Sequence, residues 1–316
     1  MTKNQEKMTI GGQAVIEGVM MKSPNFYSVA VKDKNGKVQE KYEKLKPVPK
    51  IFKMFFFRGI LNLVNILILG IKTLIWSSNQ ALDEDEKFGT KEVVGMLALS
   101  LLLGLAFFVL LPYVITNLIG LKEESNPILF NMVDGVVKII FFVCYIWAIS
   151  LMKDVKRLFE YHGAEHKTIF CYENGKELTV KNVKDYSTLH PRCGTSFIFL
   201  VFIISIFLFS IIPTIIIHFN PNFIKLAFMQ RKLILFSLRI LVIPIIAGIS
   251  YEVLKLSARF KENIFAKVII RPGLWLQKIT TREPDEQQME IAIISFKRVL
   301  ELEKELAQTS VCETQK

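Results

Sequence analysis

The sequence predicts a mainly α, polytopic membrane protein. It should have about four transmembrane helices, one interfacial or re-entrant helix, and a small cytoplasmic N-terminal α+β region built on a β-hairpin. Three observations lead there. Apolar residues make up 51% of the 316 positions and fall into blocks. Four of these blocks approach or exceed the ~20 residues that a helix needs to cross a bilayer. Lysine and arginine collect between alternate blocks, although the mean hydropathy of the whole chain is +0.37.

Residues 1–50 read as a polar N-terminal region. Two strand-like runs, 27–33 and 37–45, flank Asn35-Gly36, a strong signal for a type I′ hairpin turn. Before them, residues 11–18 are glycine-rich but lack the spacing of a phosphate loop, so a tight turn is expected. Residues 51–92 form a second region. Its apolar part, 51–76, is interrupted by Lys53, Arg58, Asn62, Asn65 and Lys72. A clean span seldom carries such polarity, which favours an interfacial or re-entrant helix, with a true span as the alternative. Residues 77–92, containing Asp83-Glu84-Asp85-Glu86, read as an acidic linker.

Region 93–152 holds the first two spans, 93–119 and 128–152. Region 196–251 holds the other two, 196–218 and 233–251. Between them, 153–195 reads as a cytoplasmic loop, and 252–316 as a cytoplasmic tail ending in a helix. For that helix Pro284, Asp285 and Glu286 suit the first turn, while Met289, Ile293, Phe296 and Leu300 make an apolar stripe.

Charge sets the orientation. Residues 153–195 carry eight Lys and Arg, whereas 120–127 carry only Lys122, beside two glutamates. The positive-inside rule then puts the N-terminal region, the 153–195 loop and the tail in the cytoplasm. The expected location is the inner (plasma) membrane, with both termini inside. The net charge of +11 would suit nucleic acid in a soluble protein. Here no recognition motif accompanies it, and no nucleic-acid partner is expected. Cys144, Cys171, Cys193 and Cys312 form no CxxC pair and give no disulfide framework.

Chemistry concentrates in His162-Gly163-Ala164-Glu165-His166. Residues i and i+4 share a helix face, so both imidazoles can grip one ion. The spelling H-x-x-E-H is that of the inverted zincin proteases, where the glutamate activates water at the metal. His190 and Cys193 follow with further donors that zinc favours. Glu252 matches the downstream glutamate ligand of that protease type. Topology brings all of these to one membrane face.

Two metal readings stay open: a closed structural zinc site, in which Glu165 is an ordinary helix residue, and an open catalytic site, in which Glu165 is the base. A third reading has no metal, with the histidines capping helices or meeting lipid headgroups.

The segments 11–21 (GGQAVIEGVMM), 161–167 (YHGAEHK), 190–196 (HPRCGTS), 247–252 (AGISYE) and 272–277 (PGLWLQ) resemble the bacterial YqhQ-like family over about residues 9 to 300. Thr280-Thr281 and Glu283-Pro284-Asp285 add to the match. This is a domain-of-unknown-function family labelled as predicted metal-dependent enzymes. The resemblance implies a multi-pass inner-membrane protein and names no substrate.

The leading expectation is therefore a zinc-dependent membrane hydrolase facing the cytoplasm. Its metal ligands come from His162, His166, His190, Cys193 and Glu252, and Glu165 is catalytic. Its partners would be the bilayer, a membrane-protein or lipid-linked substrate, and cytoplasmic proteins. One alternative is a non-enzymatic scaffold or assembly factor with a structural metal. Another is a transporter, suggested by Arg239 and by Asp134 with Lys138, though no inverted repeat is evident.

Overall fold

Four antiparallel strands open the chain: β1 (Gly11–Val15), β2 (Gly18–Lys22), β3 (Phe26–Lys32) and β4 (Val38–Lys44), paired in that order. The computed structural model describes residues 8–47, 57–83, 87–123, 125–260 and 263–314. The expected hairpin is β3–β4. Gly36 takes φ +80, and the Asp33 side chain accepts from the amides of Asn35 and Lys37. The glycine-rich segment is more than a turn. It forms the β1–β2 hairpin, closed at Ile16-Glu17, with Glu17 at φ +55. Alternation along the strands gives the sheet two apolar faces.

Ten α-helices follow among the described residues. They are α1 (Phe57–Ala81), α2 (Thr90–Leu105), α3 (Leu111–Leu118), α4 (Pro127–Ile149), α5 (Lys153–Glu173), α6 (Val180–Lys184), α7 (Gly194–Phe219), α8 (Phe228–Arg259), α9 (Ile264–Thr280) and α10 (Glu286–Thr314). A π turn at Ala106–Leu110 joins α2 to α3 just ahead of Pro112, which has no N–H to give a regular ladder.

Five helical stretches are long and apolar enough to cross a membrane: Arg58–Ala81, Thr90–Leu118, Pro127–Ile149, Gly194–Phe219 and Phe228–Ser257. They mark a multi-pass membrane protein. Four coincide with the expected spans. The first was expected as an interfacial or re-entrant helix. From Phe57 onward it is one continuous helix of 25 residues. Residues 51–56 and 84–86 of that region lie outside the described residues. The acidic linker is also shorter than expected, because α1 runs on to Ala81.

The 153–195 segment between the second and third expected spans is helical, as the spacing of His162 and His166 requires. It folds as α5 and α6, and α5 starts after Met152 breaks the helical backbone with ψ 137. The tail holds two long helices rather than one. α10 begins with a reciprocal cap, in which the Gln288 amide donates to Asp285 Oδ1 and the Asp285 amide to Gln288 Oε1. Its stripe is buried at Met289, Ile293 and Phe296, with Leu300 packed at the edge.

One sheet face, with Val19, Met21 and Ala30, shares a core with Tyr161 and Ala164 of α5 and Phe296 of α10. The other face, with Val15, Met20, Tyr27, Val29 and Val31, packs on Leu69 and Trp76 of α1. The sheet thus lies between α1 and the α5–α10 pair.

Candidate metal centre

On α5 the four-residue spacing stacks His162 and His166, with ring centroids 4.4 Å apart. Cys193, the residue just before α7, reaches them from below, its Sγ 3.2 Å from His162 Nε2. One donor atom from each of the three lies within 4.8 Å of the others.

Main-chain carbonyls aim the rings. His162 Nδ1 donates to Thr280 O at 2.8 Å, and His166 Nδ1 donates to Thr188 O at 2.5 Å. With Nδ1 carrying the proton, each Nε2 keeps its lone pair for the common point, the usual arrangement behind metal-ligating histidines. Gly163 makes the first bond possible. A Cβ there would meet Arg282 O at 2.0 Å, so only glycine lets the end of α9 come this close.

Gln277 builds the other wall. Its Oε1 accepts from the His190 amide at 2.7 Å, and its Nε2 donates to His190 O at 2.8 Å and to Ser196 Oγ at 3.2 Å. Gly273, one turn earlier, is pressed against Ser196. The 272–277 motif therefore clamps the 190–196 motif and sets Cys193.

Glu165 is buried beside His162 and Cys193. β1 closes over it, and the Gly12 amide donates to its carboxylate. Burial pushes the Glu165 carboxyl up to about 8. Burial, with His162 beside it, holds His166 below the usual imidazole value. Burial works to raise the Cys193 thiol, but His166 and hydrogen bonds from Thr195 outweigh it and hold it below the usual thiol value.

Two expected ligands stand apart. His190 accepts the Arg192 amide at Nδ1, and its Nε2 turns to Glu173 at 3.5 Å. Burial drives it down to about 4. Glu252 lies on α8 in a two-bond pair with Arg58, at 2.7 and 2.6 Å. Opposite charge claims Glu252, while the His190 ring lies beside His166, centroids 5.6 Å apart, with its Nε2 toward Glu173. Gly12, Gln277 and the Thr188 and Thr280 carbonyls were not foreseen. The glycine doublet, the PGLWLQ segment and Thr280-Thr281 were the sequence signals for them, and Thr188 had none.

The chain belongs to the DUF1385 family of proteins of unknown function, which matches residues 54–302. The uncharacterized protein YqhQ of Bacillus subtilis (strain 168) is 35% identical over 321 residues, covering 96% of each chain. No solved structure matches.

Proposed function

We propose that this chain is a metal-dependent hydrolase working at the cytoplasmic membrane surface. His162, His166 and Cys193 would be the ligands of a divalent ion, and Glu165 the general base. The observation that carries this reading is the pinning of both Nδ1 atoms to main-chain carbonyls, which turns two Nε2 lone pairs toward one sulfur. A purely structural polar cluster has no need of that convergence; a metal does. Nitrogen and sulfur donors favour zinc.

With His162, His166 and Cys193 as its protein ligands, a bound ion would still be open to water or substrate. When bound, the ion would supply Lewis-acid polarisation of that water and of the bond to be cut. The chain does the rest. Cys193 contributes a thiolate at the start of α7, where Thr195 Oγ1 donates to it at 3.2 Å. Glu165 takes the proton of the attacking water and returns it to the leaving group. Gly12 and the walls around Glu165 hold that carboxylate in place and keep bulk water off it.

Cys193 immediately precedes the apolar helix α7, and α5, which carries His162 and His166, follows the apolar helix α4. A membrane protein or lipid-linked molecule is therefore the proposed substrate. A scaffold with a closed structural zinc would call for a fourth protein ligand; against that reading, Glu252 is paired with Arg58 and His190 Nε2 lies toward Glu173.

One further observation favours a second reading. Cys193 sits at a helix start with His162 Nε2 at 3.2 Å, the layout of a thiol nucleophile and its base. Elemental analysis of freshly purified protein decides between them. About one ion per chain, lost in His162→Ala with His166→Ala, supports the hydrolase centre. Absence of metal, with Cys193 alkylated faster than the other thiols, overturns it in favour of the thiol reading.

A further inference from the structure

We infer that α1 does not cross the bilayer. It lies in the bilayer's surface layer on the side that carries the sheet, with Val64, Leu67, Ile68, Ile71 and Leu74 sunk among lipid chains. This holds independently of the chemistry proposed for the metal centre.

The first support is parity. The sheet, α5 and α10 share one core, through Val19, Met21 and Ala30, Tyr161 and Ala164, and Met289, Ala292 and Phe296. Elements that share a core lie on one side of a membrane. The chain must then cross an even number of times between the sheet and α5, and again between α5 and α10. The second interval contains two long apolar helices, α7 and α8, which satisfies the rule. The first interval contains three such stretches: α1, α2–α3 and α4. One of them stays on the side of the sheet.

α1 is that helix. Its mean hydropathy of 1.8 is the lowest of the five candidates. One of its faces is committed to the sheet. Leu69, Thr73 and Ser77 are buried, and the Ile16 amide donates to Ser77 Oγ at 3.1 Å. Lys72 donates to Glu43 of β4 at 2.7 Å. Hydrocarbon around that helix would strip water from a strand whose sequence is VQEKYEK.

The other end of α1 is tied to the foot of α8. Arg58 pairs with Glu252, and Asn62 donates to Tyr251 Oη at 3.1 Å. α1 thus runs from the end of the α8 span to the sheet without leaving that side.

The opposite face remains. Val64, Leu67, Ile68, Ile71 and Leu74 recur at helical spacing and are exposed, Ile68 at 63%. Lipid is their occupant, because the strip starts beside α8, where Ile245 and Ile249 also point outward. The apolar belt of the bundle continues onto α1. Asn65 and Lys72 are exposed next to the strip, as polar flanks of an interfacial helix are. The soluble layer holding His162 and Cys193 is then seated on the membrane.

The test uses full-length protein with Cys144→Ser, Cys171→Ser, Cys193→Ser and Cys312→Ser, reconstituted in phosphatidylethanolamine–phosphatidylglycerol bilayers. Nitroxide labels are placed singly at Val64→Cys, Ile68→Cys, Ile71→Cys and Leu74→Cys. Collisions with oxygen and with a nickel chelate give the depth of each. The expected result is one common shallow depth, ~5–10 Å below the headgroup boundary, at all four positions. A depth that runs from one surface through the centre to the other means a crossing and overturns the inference. High nickel accessibility along the face, or spin–spin broadening between copies, overturns it too, in favour of water or a second chain. As an independent measurement, Lys34→Cys and Lys176→Cys should react with an impermeant thiol reagent from the same side of sealed vesicles. Reaction from opposite sides refutes the parity on which the inference stands.

Discussion

A Cβ on Gly12 would lie 2.8 Å from Cγ of Glu165, so the first strand closes over that carboxylate only because residue 12 has no side chain. The same Cβ would also meet Met20 O at 2.8 Å, which leaves no room to shift sideways within the sheet. Gly11, one residue earlier, has nothing within 4 Å of its added Cβ.

These two glycines give a matched pair of variants. Gly12→Ala should cost about 1–3 kcal/mol through overpacking and displace Glu165. Gly11→Ala should be nearly neutral in thermal unfolding. With metal content unchanged in both, only Gly12→Ala should fail to complement a deletion strain. Equal behaviour of the two would remove the strand from the site.

Glu165→Gln keeps the size of the side chain and removes its basicity. The variant should accumulate normally, retain its metal and lose cellular function. His162→Ala should lose metal as well. A Glu165→Gln protein that is abundant, metal-loaded and fully active would end the case for a general base and favour the scaffold.

Gln277→Leu leaves the buried His190 amide and carbonyl without their partner. The cost should be about 2–4 kcal/mol, read as a lower unfolding midpoint in detergent. Metal should also be held more weakly, because the turn that sets Cys193 is released. Unchanged metal affinity would show that the clamp does not position the ligand.

Glu252→Ala should leave metal stoichiometry untouched, since its carboxylate is engaged by Arg58. A double-mutant cycle with Arg58→Ala should give a coupling of about 1 kcal/mol for this partly exposed pair. Loss of metal in Glu252→Ala would return this residue to the ligand set.

Glu303 of α10 accepts from Ser23 Oγ at 2.6 Å, from the Asn25 amide at 2.9 Å and from Asn25 Nδ2 at 2.9 Å. Burial works to raise its carboxyl, but these bonds outweigh it and hold it below the usual carboxylate range. A depressed folded value stabilises above the unfolded value and loses that stability as pH falls through the folded one. Docking of α10 on the β2–β3 hairpin should therefore weaken below the ordinary glutamate range. In Glu303→Gln that acid-dependent part should vanish, as judged by protease cleavage of the tail across pH.

Much of the architecture was legible from local pattern. Apolar blocks located all five long apolar stretches, four as spans and 51–76 as an interfacial or re-entrant helix; Asn35-Gly36 located the β3–β4 hairpin, and the stripe from Met289 to Phe296 located α10. Helix and strand periods are properties of neighbouring residues, so the chain declares them without its partners. The His162–His166 pair was legible for the same reason, because four-residue spacing alone puts two rings on one face.

Only the tertiary structure decided the rest. Cys193 faces the rings because Gln277, far along the chain, grips the backbone of His190. Glu252 was drawn off by Arg58, and Gly12 was admitted by the absence of a side chain. Periodicity states which face of an element is apolar, but not which distant element will meet it. By itself the sequence determined the membrane helices and a pair of imidazoles. The packing of β1, α7 and α9 against α5 determined which third donor joins that pair and which carboxylate stands beside it, since those contacts depend on close approach between segments that no local spacing encodes.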